Sequence, residues 1–143
     1  YPHTEVCLLS DTIQFFVDND IRFNPTSVYE DVSTSVTNLH KTGVLHKEVM
    51  KNIDKNLSKS TEKKELLTKL QKGGKKLFLL TNSDFRFVDE GMRFMFDDDN
   101  WRELFDVIIT SAKKPTFYSA HRPFREVDPK TGIQFPTYLL ETM

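Results

Sequence analysis

Two short apolar runs, each ending abruptly in polar residues, set the tightest limit on the fold. Residues 77–80 follow Gly73-Gly74 and two lysines and stop at Thr81-Asn82-Ser83-Asp84. Residues 106–110, DVIIT, form the second run. Each is short, apolar and sharply bounded, as a buried strand of a parallel sheet would be. Between them Val88, Met92 and Met95 recur at helical spacing behind Asp84, a predicted helix cap. Trp101, Leu104 and Phe105 predict a further short helix. Strand, helix, strand implies a βαβ crossover, and therefore parallel pairing.

Upstream the pattern is helical. Val6, Leu9, Ile13, Phe16 and Val17 share one face, and Asp18-Asn19-Asp20 interrupts them. Ser27 stands three residues before Glu30, the spacing of a capping box, with Val28, Val32, Val36 and Leu39 following on one side. Gly43 is a predicted C-terminal stop. Leu45, Val49, Met50, Ile53 and Leu57 predict a third helix, and Thr61 a cap for a fourth that ends at Gly73-Gly74. The tail, RPFREVDPKTGIQF, reads as a β-hairpin turning at 128–132. This divides the chain into a helical segment, 1–72, and a strand-bearing segment, 73–143.

The 143 residues carry 20 Lys and Arg against 21 Asp and Glu, a balance unlike that of a generic nucleic-acid binder. No apolar run approaches the roughly 18 residues of a membrane-spanning helix. The single cysteine, Cys7, permits no intrachain disulfide and fits a reducing, cytoplasmic setting. The chain begins at Tyr1 rather than Met, so the expectation is a piece of a longer protein.

In a parallel α/β sheet, ligands sit beyond the carboxyl ends of the strands. Here those ends are Thr81-Asn82-Ser83-Asp84 and Thr110-Ser111-Ala112-Lys113-Lys114-Pro115. On neighbouring strands they would bring hydroxyls, backbone N–H groups and a lysine to one spot, a set suited to phosphate. Each signal also has a plainer reading. Ser, Thr, Asn and Asp after a strand often only cap the next helix, and Lys-Pro often marks an exposed loop. Other candidates fall away. The histidines lack ligand spacing, and Asp97-Asp98-Asp99 lacks the glycine and the twelfth-position acid of a calcium loop. KGGKK precedes a strand, whereas a nucleotide-binding P-loop follows one.

Three separated segments, LFLLTNSDFRFVDEGMRFMF, WRELFDVIITSAKKPTFYS and RPFREVDPKTG, resemble in order and spacing the cytosolic purine 5'-nucleotidase family and its 5'-nucleotidase-domain-containing relatives, within the haloacid dehalogenase superfamily. VYEDVSTSVTNLHKTG is similar to a further stretch of that family. The resemblance implies part of a haloacid dehalogenase-like Rossmannoid parallel-sheet core, preceded by the later part of an inserted helical cap and its return to the core. It implies a magnesium-dependent phosphatase acting on nucleoside 5'-monophosphates through an aspartyl-phosphate. Thr81, with Asn82 beside it, would bind the transferring phosphoryl group, and Lys114 rather than Lys113 would neutralise its charge. Thr81 and Lys114 are thus the catalytic expectation, and Thr81, Asn82 and Lys114 the phosphate-binding one.

The chain departs from that pattern at its most reactive point. It contains no DxDxT-like nucleophile motif: Asp18-Asn19-Asp20-Ile21-Arg22 has the carboxylate spacing, but arginine stands where threonine is expected. The acidic metal-binding loop is expected beyond Met143, so the magnesium ligands would lie outside this chain. Two classes of function therefore remain open: a fragment of a 5'-nucleotidase, inactive alone, or a non-catalytic scaffold or assembly component that keeps the fold. A homo-oligomer or larger assembly is compatible with either.

Overall fold

The two apolar runs form the expected parallel pair in the computed structural model, which describes residues 2–137. Strand β1 (Phe78–Leu80) lies beside β2 (Val107–Ile109), with Phe78 opposite Val107, Leu79 opposite Ile108 and Leu80 opposite Ile109. The crossover is α6 (Phe85–Phe96) followed by a 3₁₀ turn (Trp101–Leu104). Asp84 caps α6 as predicted, its carboxylate accepting the Phe87 N–H at 3.0 Å. The fold is mixed α/β with a small parallel sheet.

Contacts divide the chain into two compact units, Tyr1–Lys51 and Asn52–Met143. The first holds α1 (Pro2–Asp18), α2 (Pro25–Lys41) and α3 (Val44–Lys51). In α1, Leu9, Ile13 and Phe16 are half-buried, whereas Val6 and Val17 of the predicted face are exposed. Helix α2 starts earlier than the Ser27–Glu30 spacing predicts. The Asn24 side chain accepts from the N–H groups of Thr26 and Ser27, and Pro25 takes the first helical position, where no N–H is needed. Gly43, at φ 71°, follows the last turn, as expected of a stop.

The second unit opens with the short α4 (Ile53–Asn56) and α5 (Thr61–Lys72). The third helix predicted through Leu57 is broken at Asn52. That residue leaves helical backbone (φ −131°, ψ 52°), and its carbonyl accepts from Lys55 and Asn56 to begin a new turn. Thr61 begins α5 without a side-chain cap; Ser60 takes the cap position, and its N–H donates to the Met95 carbonyl instead. The hairpin forms as predicted: β3 (Arg125–Val127) pairs antiparallel with β4 (Gln134–Pro136). Its turn is held by Asp128, which accepts from the Lys130 N–H and the Thr131 hydroxyl. Arg86 of α6 donates to the Thr131 carbonyl at 2.9 Å and lies against Gly132. Glycine is favoured there by φ 70°, and a Cβ, 3.0 Å from the Arg86 Nε, would make that side chain shift slightly.

Trp101 is the centre of this unit. It is fully buried beside the buried Phe96 and Leu104, and Leu67, Leu79, Val88, Met92, Met95, Phe105 and Ile108 pack against the three. Its indole N–H donates to Asp89, whose buried carboxylate also pairs with Arg102 at 2.6 Å and Arg93 at 3.0 Å. A buried carboxylate needs such partners. Each carboxylate of Asp97-Asp98-Asp99 has a cation: Lys59, Lys64 and Arg93 respectively.

The strand starts are joined as well. Asp106 accepts the Leu77 N–H at 2.8 Å and pairs with the Lys76 ammonium at 2.7 Å. The Lys76 hydrogen bond, reinforced by the Leu77 N–H, holds the Asp106 carboxyl below its usual 3.8, and Asp106 in turn raises the lysine above 10.5.

Two outcomes are expected. Trp101→Ala removes the central side chain and costs about 3–5 kcal/mol of stability. Trp101→Phe, which removes mainly the Asp89 hydrogen bond, costs about 1–3 kcal/mol. Denaturant unfolding followed by circular dichroism reads both, and a Trp101→Phe loss near zero would show that the hydrogen bond adds nothing. The Asp106 contribution is present above the ordinary carboxylate value and lost as pH falls through the depressed one. The Lys76 contribution is present at neutral pH and lost as pH rises through the raised ammonium value. Melting temperatures of wild type and Asp106→Asn therefore differ at neutral pH and converge in acid; a constant difference at every pH would refute the pairing.

Candidate functional site

The polar ends of β1 and β2 meet. Pairing continues past the strands: the Thr81 N–H donates to the Ile109 carbonyl at 2.9 Å, and the Thr81 carbonyl accepts from Ala112 at 3.0 Å. The Ser83 carbonyl accepts from Ser111 at 2.8 Å. The loop reaches this position through left-handed backbone at Ser111 (φ 51°) and Lys113 (φ 59°), neither of which is glycine. No sequence signal marks those two residues.

Thr81, Asn82 and Lys114 are brought together. The Asn82 amide grips the Lys114 backbone from both sides: its Oδ1 accepts the Lys114 N–H at 2.6 Å, and its Nδ2 donates to the Lys114 carbonyl at 3.0 Å. The Thr81 hydroxyl accepts the Ser83 N–H at 3.2 Å. A hydroxyl that accepts in this way keeps its own O–H to donate. Of the two lysines, Lys113 is exposed and Lys114 half-buried. The Lys114 Nζ donates to the Leu80 carbonyl at 2.8 Å.

That carbonyl lies on an informative edge. Along a strand, backbone groups alternate in direction. Leu77 and Thr81 bond toward β2, so the N–H and C=O of Phe78 and Leu80 face the opposite edge of β1. Lys114 follows β2 in sequence, yet its ammonium reaches that opposite edge. Among the described residues it has no carboxylate partner; its contact is a neutral carbonyl. A half-buried cation so placed favours an anion.

The donor set speaks about metal too. Magnesium needs hard oxygen ligands, carboxylates above all. At this site stand a hydroxyl, an ammonium and an amide already spent on backbone, and among the described residues no cluster of three His, Cys, Asp or Glu could hold an ion. These residues alone do not fit a magnesium centre. Among the described residues no helix is long and apolar enough to cross a membrane.

Comparison with known proteins covers nearly the whole chain. A sequence model described as the 5' nucleotidase family matches residues 1–141. A 5'-nucleotidase domain-containing protein of Dictyostelium discoideum is 38% identical over 131 residues, 87% of this chain and 22% of its own length. 5'-nucleotidase domain-containing protein 2 of Homo sapiens is 38% identical over 132 residues, 92% of this chain and 25% of its own. The Rattus norvegicus protein of the same name is 37% identical over 132 residues, again 92% of this chain, and 24% of its own. The chain thus spans about a quarter of the length of these curated relatives.

Asp84 tests the plainer reading of Thr81-Asn82-Ser83-Asp84. As the α6 cap, Asp84→Ala should lower stability by about 1 kcal/mol, and Asp84→Ser should restore most of it. A loss in Asp84→Ala that Asp84→Ser fails to recover would show that the carboxylate does more than cap.

Proposed function

The chain belongs to the 5' nucleotidase family, and on that premise we propose that it is part of a phosphatase releasing phosphate from nucleoside 5'-monophosphates. The observation that carries this reading is the Lys114 ammonium, half-buried at the carboxyl end of β1 without a counter-charge among the described residues. Thr81, one residue beyond the Leu80 carbonyl that Lys114 meets, carries a hydroxyl that can donate at the same strand end.

In this reading the parent protein has a haloacid dehalogenase-like core, and a segment outside these 143 residues adds a strand along the open edge of β1. That strand would bring a nucleophilic aspartate to Lys114. The aspartate attacks phosphorus and the bond from phosphorus to the 5' oxygen breaks. A second aspartate outside these residues gives that oxygen its proton as the nucleoside leaves, and water then hydrolyses the aspartyl-phosphate to inorganic phosphate. Lys114 offsets negative charge on the nucleophile and the phosphoryl oxygens, and Thr81 donates to one of those oxygens. Phosphoryl transfer is largely positioning and charge stabilisation, which these two groups can supply. Magnesium, which the family resemblance implies, would be held by carboxylates elsewhere in the parent and would offset negative charge on the phosphate when bound.

In the full-length protein, Lys114→Ala should lower nucleoside monophosphate turnover by about 100-fold or more, and Thr81→Ala by about 10- to 100-fold, with the protein still folded and only a small fall in melting temperature. Full activity in Lys114→Ala would sink the assignment and favour the non-catalytic scaffold.

A further inference from the structure

Lys114 is held in an unusual way. Its backbone belongs to no strand or helix, and it follows two left-handed residues, Ser111 and Lys113. Both its N–H and its carbonyl are taken by one side chain, Asn82. Asn82 is itself anchored, because the Thr81 N–H and C=O just before it are bonded to the β2 side. The Lys114 ammonium then spans back to the Leu80 carbonyl, two residues before Asn82. Backbone and side-chain tip of Lys114 are therefore both referred to the end of one strand.

We propose that Asn82 is a positioning residue for the reaction: it fixes the Lys114 backbone, and through it the place of the ammonium, rather than binding phosphate itself. This rests on the functional reading of Lys114 given above. The chemistry selects asparagine. A single planar amide can accept from an N–H and donate to a C=O of the same residue. Aspartate keeps the acceptor but turns an oxygen toward the Lys114 carbonyl. Serine and alanine cannot reach both groups. With both its polar atoms on Lys114, the Asn82 amide has little left to offer a phosphate.

The test uses the full-length protein, wild type and Asn82→Ala, with two readouts. The first is kcat and KM for a nucleoside 5'-monophosphate. The second is the rate at which acetic anhydride acetylates Lys114, followed by peptide mass spectrometry, which reports on the ammonium whether or not the protein turns over. The expected result is a kcat lowered by about 10- to 100-fold, the size of effect a misplacement of about 1 Å can have. KM should change by less than about threefold, because ground-state binding is largely kept. Lys114 should be acetylated several-fold faster. Asn82→Asp should show the same changes, which covers the case in which the alanine variant folds poorly.

A fall in kcat with unchanged labelling would mean that Asn82 acts on the substrate directly, and would overturn the proposal. So would faster labelling with unchanged kcat. Failure of the underlying reading is separate, because Lys114→Ala would then keep full turnover whatever Asn82 does.

Discussion

Three rungs of parallel pairing are too few to hold two strands together unaided, so this sheet depends on its crossover. Helix α6 and the 3₁₀ turn return the chain from the end of β1 to the start of β2, and Trp101 packs beneath both strands through Leu79 and Ile108. The indole cannot be treated as apolar filling alone. Its N–H lies on the Asp89 carboxylate, and that carboxylate also receives Arg93 from its own helix and Arg102 from the turn. The buried charge is thus what joins helix to turn. Removing one partner leaves the others around an incompletely satisfied group, which costs more than the lost contact alone.

With the crossover fixed, the strand ends fall into register, and the site follows from register. Backbone groups on β1 alternate between its two edges. Leu77 and Thr81 face β2, which leaves the Leu80 carbonyl on the other side, and there the Lys114 ammonium sits. A slip of one residue would turn Leu80 toward β2 and remove that partner. The Asp106 carboxylate, which ties the Leu77 N–H and Lys76 at the strand starts, guards against such a slip at the far end of the sheet.

Much of this was legible in the sequence where local patterns carry physical information. The two apolar runs, the Asp84 cap, the stop at Gly43 and the hairpin turn at 128–132 were each readable because one residue type or spacing demands them. The start of α2 was not, because two caps competed: Ser27 with Glu30 fits a capping box, but Asn24 before Pro25 caps the helix one turn earlier, at the N–H groups of Thr26 and Ser27. The break at Asn52 was missed because apolar periodicity runs straight through it from Val49 to Leu57. Periodicity also overstated burial, as Val6 and Val17 show. At the site, the residues were nameable from sequence, but the bonds between Asn82 and the Lys114 backbone span 32 positions and no local signal encodes them.

The two left-handed residues give the last link. Ser111 and Lys113 occupy a backbone region that costs non-glycine residues on the order of 1 kcal/mol each. Glycine would remove that cost at either position. It would also free the loop to sample many conformations, and ordering it again would cost more entropy. Here the strain is offset by bonds that all run to the end of β1: Ser111 to Ser83, Ala112 to Thr81, Lys114 to Asn82. A loop held in this manner has one low-energy shape rather than several. That matters for a lysine more than for most residues, since its long side chain has many rotamers to lose. Fixing the backbone by Asn82 and the tip by Leu80 removes most of that freedom, so on the proposed reading the charge stabilisation that Lys114 supplies would be largely preorganised.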